Sequence, residues 1–331
     1  MQIIFKYTAY IRDIRRYSPR TVDIYERALR DFVAYACDGD ASPSDKDVLG
    51  SLRPNIIRGY VVSLLDADPP RTPRTVNLHL SALSGFCRFL VKEGLLKSNP
   101  VSLVPKPKQE SRIPVFYKKE GMEEYFTKTE YYASPEGLEA LAEDWNTKQG
   151  KEAYEKRLSR AVISTLYALG LRRSELIGMN VGDVDFGRKI VKVRGKGDKM
   201  REIPLVVSLS EEILLYLKAV EVMCEGKRSL KEPLFVTYTG RRLYPSYVDR
   251  LVKAELGGVK ELTGRKSPHV LRHSLATELM NGETDLNSIK EMLGHSSLAA
   301  TQVYTHSSVA RLKAIYEQAH PRAKNGGKYG N

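Results

Sequence analysis

Six side chains that can hold an anion, move a proton or attack phosphorus follow one another along the second half of this chain. They are Arg172, Lys196, His269, Arg272, His295 and Tyr304. Two guanidinium groups can clamp a non-bridging phosphate oxygen and neutralise the charge that grows in a transition state. A phenol can attack phosphorus and hold it covalently while a lysine or histidine transfers the protons. The set therefore favours the cutting and rejoining of a phosphodiester without a metal.

Each of these residues has a simpler explanation when it is taken alone. Arg172 precedes Glu175 by three residues, a spacing typical of a structural ion pair on a helix. Lys196 alone would be a solvated turn lysine, and Tyr304 is one of 19 tyrosines. It is the joint occurrence of all six, in this order, that indicates a phosphodiester site.

A metal site is the main alternative for the histidines. His269 and His273 are four residues apart, which would place both imidazoles on one helix face. The residues between them are Val-Leu-Arg, without a glutamate base and with a cation beside any metal, which argues against zinc. Cys37, Cys87 and Cys224 are far apart and are interpreted as reduced core residues. We expect neither a metal nor a cofactor.

The charge of the chain indicates a polyanionic partner. The formal net charge is +13, with +5 on residues 1–110 and +8 on the remainder. Two basic halves fit a protein that holds a duplex from two sides, although a merely solvated or ribosome-associated basic surface explains the charge equally well. No run approaches the roughly 18 apolar residues that span a bilayer, and the start does not resemble a signal peptide. A cytoplasmic location is expected.

The first domain is predicted as a helical bundle over residues 1–105. Ser18-Pro19 and Thr72-Pro73 are helix start signals, each followed by apolar residues at helical spacing. Gly94 closes the second of these helices, and further helices are expected over 3–16 and 54–65. The proline-rich stretch 99–111 is interpreted as the interdomain linker.

The second domain, residues 111–331, is predicted to be mainly α with one small antiparallel sheet. Residues 190–194 and 200–205 alternate around a turn that places Lys196 at or near a hairpin tip. Helices are predicted over 158–169, 211–222, 268–280, 286–293 and 309–320. Residues 118–155 are rich in Lys, Glu and Tyr, and we expect an exposed helical insertion there.

A family resemblance rests on five stretches of the sequence. They are Gly-Leu-Arg172-Arg-Ser-Glu-Leu, Arg-Gly-Lys196-Gly-Asp-Lys, Ser-Pro-His269-Val-Leu-Arg272-His, Met-Leu-Gly-His295-Ser-Ser and Thr-Gln-Val-Tyr304-Thr-His. With them the chain resembles the tyrosine recombinases, the lambda-integrase family, and most closely the short Xer-type chromosomal recombinases. The resemblance covers nearly the whole chain and implies the tyrosine recombinase fold, with a core-binding helical domain and a catalytic domain.

The resemblance implies a role for each matching position. Arg172 and Arg272 would clamp the scissile phosphate, and Glu175 would support the first arginine. Tyr304 would be the nucleophile and form a 3′-phosphotyrosyl bond.

The remaining roles concern protons and the phosphate. Lys196 would protonate the departing 5′ oxygen, His269 would assist proton transfer at the tyrosine, and His295 would hydrogen-bond the phosphate. Energy would be kept in the covalent bond, so no cofactor such as ATP is implied.

The partners implied by the resemblance are DNA and other recombinase subunits. The expected substrate is duplex DNA with a short inverted-repeat site, bound by a homotetramer or by a heterotetramer with a sister recombinase. A DNA translocase could act as activator. The segment 309–320 carries an apolar stripe that would dock on a neighbouring protomer, the alternative being a helix that packs on its own domain. Two alternatives stay open: a mobile-element integrase or excisionase with the same chemistry, and a DNA-binding protein that has lost catalysis.

Overall fold

The structure is a computed structural model that describes residues 2–39, 43–109, 115–195, 198–224, 226–281 and 292–293. Its backbone contacts divide the chain into two compact units, Met1–Arg112 and Ile113–Asn331. The fold is mainly helical with one small sheet, as the sequence predicts. Within the described ranges, no helix is both long enough and apolar enough to cross a membrane.

The first unit consists of helices. They are α1 (Gln2–Ala9), continued by a π-helical turn (Tyr10–Ile14), α2 (Pro19–Ala36), α3 (Asp45–Ser51), α4 (Pro54–Leu65), α5 (Pro73–Lys92) and a 3₁₀ turn (Pro100–Leu103). The four predicted helices are present. The short α3 was not predicted; it begins with a capping box in which Ser44 and Asp47 exchange side-chain and backbone hydrogen bonds.

The start signals read from the sequence act as expected. The Ser18 hydroxyl accepts a hydrogen bond from the Thr21 N–H, and the Thr72 hydroxyl accepts one from the Thr75 N–H. Gly94 follows α5 with φ of +71°, a conformation that favours glycine. The apolar faces of α2 and α5 meet in one buried cluster with α1 and α4.

The predicted linker is wrong in its first part. Pro100, Val101 and Val104 are buried in the core of the first unit. The Asn99 side chain accepts a hydrogen bond from the Val101 N–H and so starts the 3₁₀ turn. Since these few apolar residues pack without any helical period, the sequence pattern did not indicate their burial.

The second unit contains the remaining helices and the sheet. Its elements are α6 (Lys119–Lys128), a 3₁₀ turn (Glu130–Ala133), α7 (Pro135–Asp144), α8 (Lys148–Leu169), α9 (Arg173–Gly178), a 3₁₀ turn (Val181–Asp183), β1 (Val184–Asp185), β2 (Ile190–Arg194), β3 (Met200–Pro204), α10 (Val207–Met223), α11 (Pro245–Gly257) and α12 (Pro268–Asn281). Three predicted helices and the hairpin are confirmed, while β1, α9 and α11 were not predicted. The predicted helix 309–320 lies outside the described residues. Of the predicted helix 286–293, only the last two residues are described.

The sheet has three antiparallel strands in the order β1-β2-β3. Val193 pairs with Arg201 and Val191 with Ile203, so these four residues share the buried face of the hairpin. The Gly195 N–H donates to the Lys199 carbonyl across the end of the hairpin. An arginine thus occupies an inward position of β3.

Residues 118–155 are not an exposed insertion, contrary to the prediction. Met122, Tyr125 and Phe126 of α6 are buried in the main core of the unit, as is Tyr154 of α8. Two buried arginines of α8 donate to carbonyl oxygens of this segment, from Arg160 to Phe126 and from Arg157 to Ser134. Only a few residues of this segment are apolar and buried, and they stand among many charged ones, so the sequence pattern did not indicate the apolar face.

The cysteines are only partly as predicted. Cys87 is buried in the first unit and Cys37 is half-buried. Cys224 is exposed, since it lies directly after the last residue of α10, where the chain leaves the core. The prediction that all three are core residues is therefore wrong for Cys224.

Candidate active site

The site begins where α8 ends and α9 begins. Gly170 follows α8 with φ of +58°, in the left-handed region. A Cβ there would lie 2.7 Å from Leu293 Cδ2 and 2.9 Å from Leu275 Cδ2. Both the backbone conformation and the space therefore favour glycine. The turn sets Arg172 at the N-cap position of α9.

Glu175 is the centre of the site. It is 6 % exposed and lies in the first turn of α9. Its Oε1 accepts from Arg172 Nη1 at 2.7 Å, and its Oε2 accepts from the Arg172 backbone N–H at 2.8 Å. The ion pair that the spacing of Arg172 and Glu175 predicts is thus present.

Arg201 reaches the same carboxylate from β3. Its Nη1 donates to Glu175 Oε1 at 3.0 Å and its Nη2 to Oε2 at 2.8 Å, a bidentate pair. Its Nε donates to the Met292 carbonyl at 2.9 Å. Sequence reasoning missed this residue. The signal that could have found it is the alternation of the strand. Arg201 precedes Ile203 by two residues, so both side chains lie on the buried face of the hairpin.

Arg272 approaches from α12 and is 8 % exposed. Its Nη1 lies 4.0 Å from Glu175 Oε2 and donates to the Gly170 carbonyl at 2.6 Å. Its Nη2 donates to the Leu293 carbonyl. Arg172 and Arg272, far apart in the sequence, are therefore brought to one carboxylate.

The electrostatics of the site follow from this geometry. Desolvation alone would raise the pKa of Glu175, but the hydrogen bonds and charges of Arg201 and Arg172 outweigh it and lower the pKa. Burial, followed by repulsion from Arg172, lowers the pKa of Arg272 to about 10, so this guanidinium is charged at neutral pH. Three guanidinium groups around one carboxylate leave a net charge of +2. Such a cluster is suited to receive an anion.

The other predicted site residues are placed only in part. His269 lies in the first turn of α12, three residues before Arg272, and is exposed. Lys196, which the sequence sets between β2 and β3, lies outside the described residues, as do His295 and Tyr304. In the described ranges no three His, Cys, Asp or Glu side chains gather as metal ligands.

Two family models match the chain. The phage integrase family model matches residues 136–311, more than half of the chain. The model of the phage integrase N-terminal SAM-like domain matches residues 4–94. Each match falls within one of the two structural units.

Curated relatives match over almost the full length. Tyrosine recombinase XerC of Chlorobaculum parvum is 35 % identical over 96 % of this chain and 94 % of its own length. XerC of Bacillus pumilus is 33 % identical over 97 % of each chain. Among solved structures, the XerH site-specific recombinase bound to its difH substrate has a TM-score of 0.60 at 18 % identity, covering 89 % of this chain and 79 % of that one, which shows a shared fold. The chain accordingly belongs to the phage integrase family and is a tyrosine recombinase.

Proposed function

We propose that this protein exchanges DNA strands at a specific site through a covalent phosphotyrosyl intermediate. The observation that carries the proposal is the convergence of Arg172 and Arg272 on the buried carboxylate of Glu175. A phosphodiester has one negative charge, and two preorganised guanidinium groups offer donors of the right sign without a metal.

The chemistry assigned to the remaining residues is a balanced transesterification. The Tyr304 oxygen attacks phosphorus and forms a P–O bond, while the bond to the 5′ oxygen breaks. His269 assists removal of the phenol proton, Lys196 delivers a proton to the departing 5′ oxygen, and His295 hydrogen-bonds the phosphate. A 5′ hydroxyl from a second duplex then attacks the phosphotyrosine and releases Tyr304. One phosphoester replaces another at each step, so no ATP is consumed.

The proposed DNA partner agrees with the charge of the chain. Residues 1–110 carry +5 and the remainder +8, so both halves of the chain can neutralise phosphates. We assign the first unit, over residues 1–105, to core-site binding and the second, over 111–331, to catalysis. Exchange between two duplexes needs four active sites, which the proposal assigns to a tetramer of this chain or of this chain with a sister recombinase.

For the biological role we favour the resolution of chromosome dimers in the nucleoid, with a DNA translocase as a possible activator. This choice rests on the relatives named XerC, which match 96 % and 97 % of the chain. A mobile-element integrase would use the same residues. A protein that only binds DNA would have no need of Tyr304 together with Arg172 and Arg272.

The experiment starts from the DNA that the protein selects. The full chain is incubated with fragments of its own genome, bound fragments are sequenced, and two directly repeated copies of the recovered site are placed on a plasmid. We expect a short inverted repeat and deletion of the DNA between the copies. A site at one chromosomal locus supports the chromosomal role, whereas sites at the ends of an element support the integrase.

The control is Tyr304→Phe, which should select the same DNA and delete nothing. Deletion by Tyr304→Phe, or the absence of any preferred DNA, would contradict the proposed function.

A further inference from the structure

Arg201, on strand β3, donates hydrogen bonds to two parts of the site, the Glu175 carboxylate and the Met292 carbonyl. It lies on the inward face of β3 and is 7 % exposed. Every nitrogen of its guanidinium donates a hydrogen bond: two to the Glu175 carboxylate and one, from Nε, to the Met292 carbonyl. All three nitrogens therefore bond to protein groups, at Glu175 and at Met292.

The contacts with Glu175 fix the carboxylate that holds Arg172. Glu175 accepts from Arg172 on one side and from Arg201 on the other, each through both carboxylate oxygens. A carboxylate held only by Arg172 could rotate with it. Because the planar guanidinium group of Arg201 donates to both of its oxygens, the carboxylate is held in one plane. This plane sets the direction of the Arg172 guanidinium.

The contact with Met292 ties a second part of the site to the same arginine. Arg201 holds the carbonyl of Met292, and Arg272 holds the carbonyl of the next residue, Leu293. The chain continues from there into Gly-His295. Arg201 and Arg272 thus hold two consecutive carbonyls, which lie three and two residues before the predicted site residue His295.

We infer that Arg201 is a positioning residue for strand cleavage, which orients Arg172 through Glu175 and anchors the backbone at Met292 without touching the DNA phosphate. The inference rests on the proposed function, because it takes Arg172 and Arg272 as the phosphate clamp. The proposed role requires arginine and not merely a positive charge. The ammonium group of lysine can supply neither the bidentate pair of N–H donors to the carboxylate nor the Nε donor to the Met292 carbonyl.

The test compares Arg201→Gln and Arg201→Lys with Arg188→Gln. Arg188 is a matched control because it pairs with Glu202 at 3.4 Å on the exposed side of the same sheet. The probe is the duplex that wild-type protein selects from its genome, nicked near the cleavage point so that the covalent adduct accumulates. Thermal melting, DNA affinity and the single-turnover rate of adduct formation are measured for each protein.

We expect DNA affinity to stay within about threefold of wild type, because the three nitrogens of Arg201 bond to protein groups and the inference gives it no phosphate contact. Adduct formation should slow by about 100-fold in Arg201→Gln, the scale reached when a reacting group is misplaced by about 1 Å. Arg201→Lys should melt close to wild type and still cleave at least about tenfold more slowly, since it keeps the charge and loses the bidentate pair of donors. Arg188→Gln should resemble wild type in every measurement.

The pH profile separates positioning from a merely structural role. The charged groups that face Glu175 are Arg172 from α9, Arg201 from β3 and Arg272 from α12. Without Arg201, the Glu175 carboxylate loses its largest stabilising contact and protonates at higher pH. The rate of Arg201→Gln should therefore fall at a higher pH than that of wild type on acidification, and that of Arg188→Gln should not.

Two results would overturn the inference. One is an unchanged cleavage rate and pH profile in a folded Arg201→Lys or Arg201→Gln protein. The other is a loss of DNA affinity that accounts for the whole loss of cleavage. If Arg201→Gln does not fold, Arg201→Lys decides between the outcomes. A wild-type protein that forms no adduct would instead contradict the proposed function, whatever the Arg201 variants do.

Discussion

Replacing Glu175 by glutamine tests the idea that one buried carboxylate organises the cluster of arginines. The carboxylate accepts four hydrogen bonds between 2.7 and 3.0 Å, three of them from guanidinium groups. Glutamine keeps the shape but removes the charge and turns one acceptor into a donor that faces a cation. Because Arg201 is left buried without its counter-charge, we expect Glu175→Gln to lower the free energy of unfolding by about 3–5 kcal/mol, the usual cost of breaking one side of a buried pair.

The assay is urea unfolding at pH 7, followed by circular dichroism, with Glu202→Gln as the matched control. Glu202 lies on the solvent side of β3 and pairs with Arg188 at 3.4 Å, so its neutralisation should cost no more than about 1 kcal/mol. Equal losses in the two variants, or a loss below about 1 kcal/mol in Glu175→Gln, would refute the view that Glu175 balances buried cations.

The difference should depend on pH in a defined direction. The folded protein lowers the pKa of Glu175 below its unfolded value, so the stabilisation is complete above the unfolded pKa, about 4.5, and is lost as the pH falls through the folded pKa. The gap in stability between wild type and Glu175→Gln should therefore be full at pH 7 and narrow on acidification below about pH 4.5. A gap that widens on acidification would contradict this assignment.

Three further outcomes are expected. Arg172→Ala and Arg272→Ala should each slow adduct formation by at least about 100-fold, the scale of losing one preorganised donor, while Arg188→Ala should not; a loss below about tenfold would remove either arginine from the phosphate clamp. EDTA should leave cleavage unchanged, because the arginines and Lys196 supply the positive charge; a loss restored by magnesium or zinc would contradict a metal-free site. Deletion of residues 309–331 should leave binding to a single site near normal and abolish cooperative pairing and recombination, since this segment is proposed to dock on a neighbouring protomer; unchanged recombination or loss of folding would rule that out.

Local signals in the sequence account for much of the fold and for part of the site. Ser18-Pro19 and Thr72-Pro73 start helices in the structure as they do in the prediction, because capping depends on residues within one turn. The spacing of Arg172 and Glu175 predicts their ion pair for the same reason. The hairpin around Lys196 follows from alternation on both sides of a glycine-rich turn.

What the sequence could not provide depends on tertiary contacts. Arg201 reads as one charged residue of an alternating strand, and only the register with Val193 and the approach of α9 show that it faces Glu175. Residues 118–155 look polar because a few apolar residues among many charged ones, such as Met122, Tyr125 and Leu141, carry their burial. Gly170 resembles any helix-ending glycine until Leu275 and Leu293 are seen to occupy the space of its missing side chain.

Covalent catalysis by Tyr304 is tested most directly by identifying the residue that becomes joined to DNA. Wild-type protein is trapped on a nicked copy of its selected site, digested with protease and nuclease, and analysed by mass spectrometry. We expect a nucleotide on Tyr304, joined through its 3′ phosphate, and no adduct with Tyr304→Phe. An adduct on another residue, one that persists in Tyr304→Phe, or cleavage without any protein–DNA bond would contradict it.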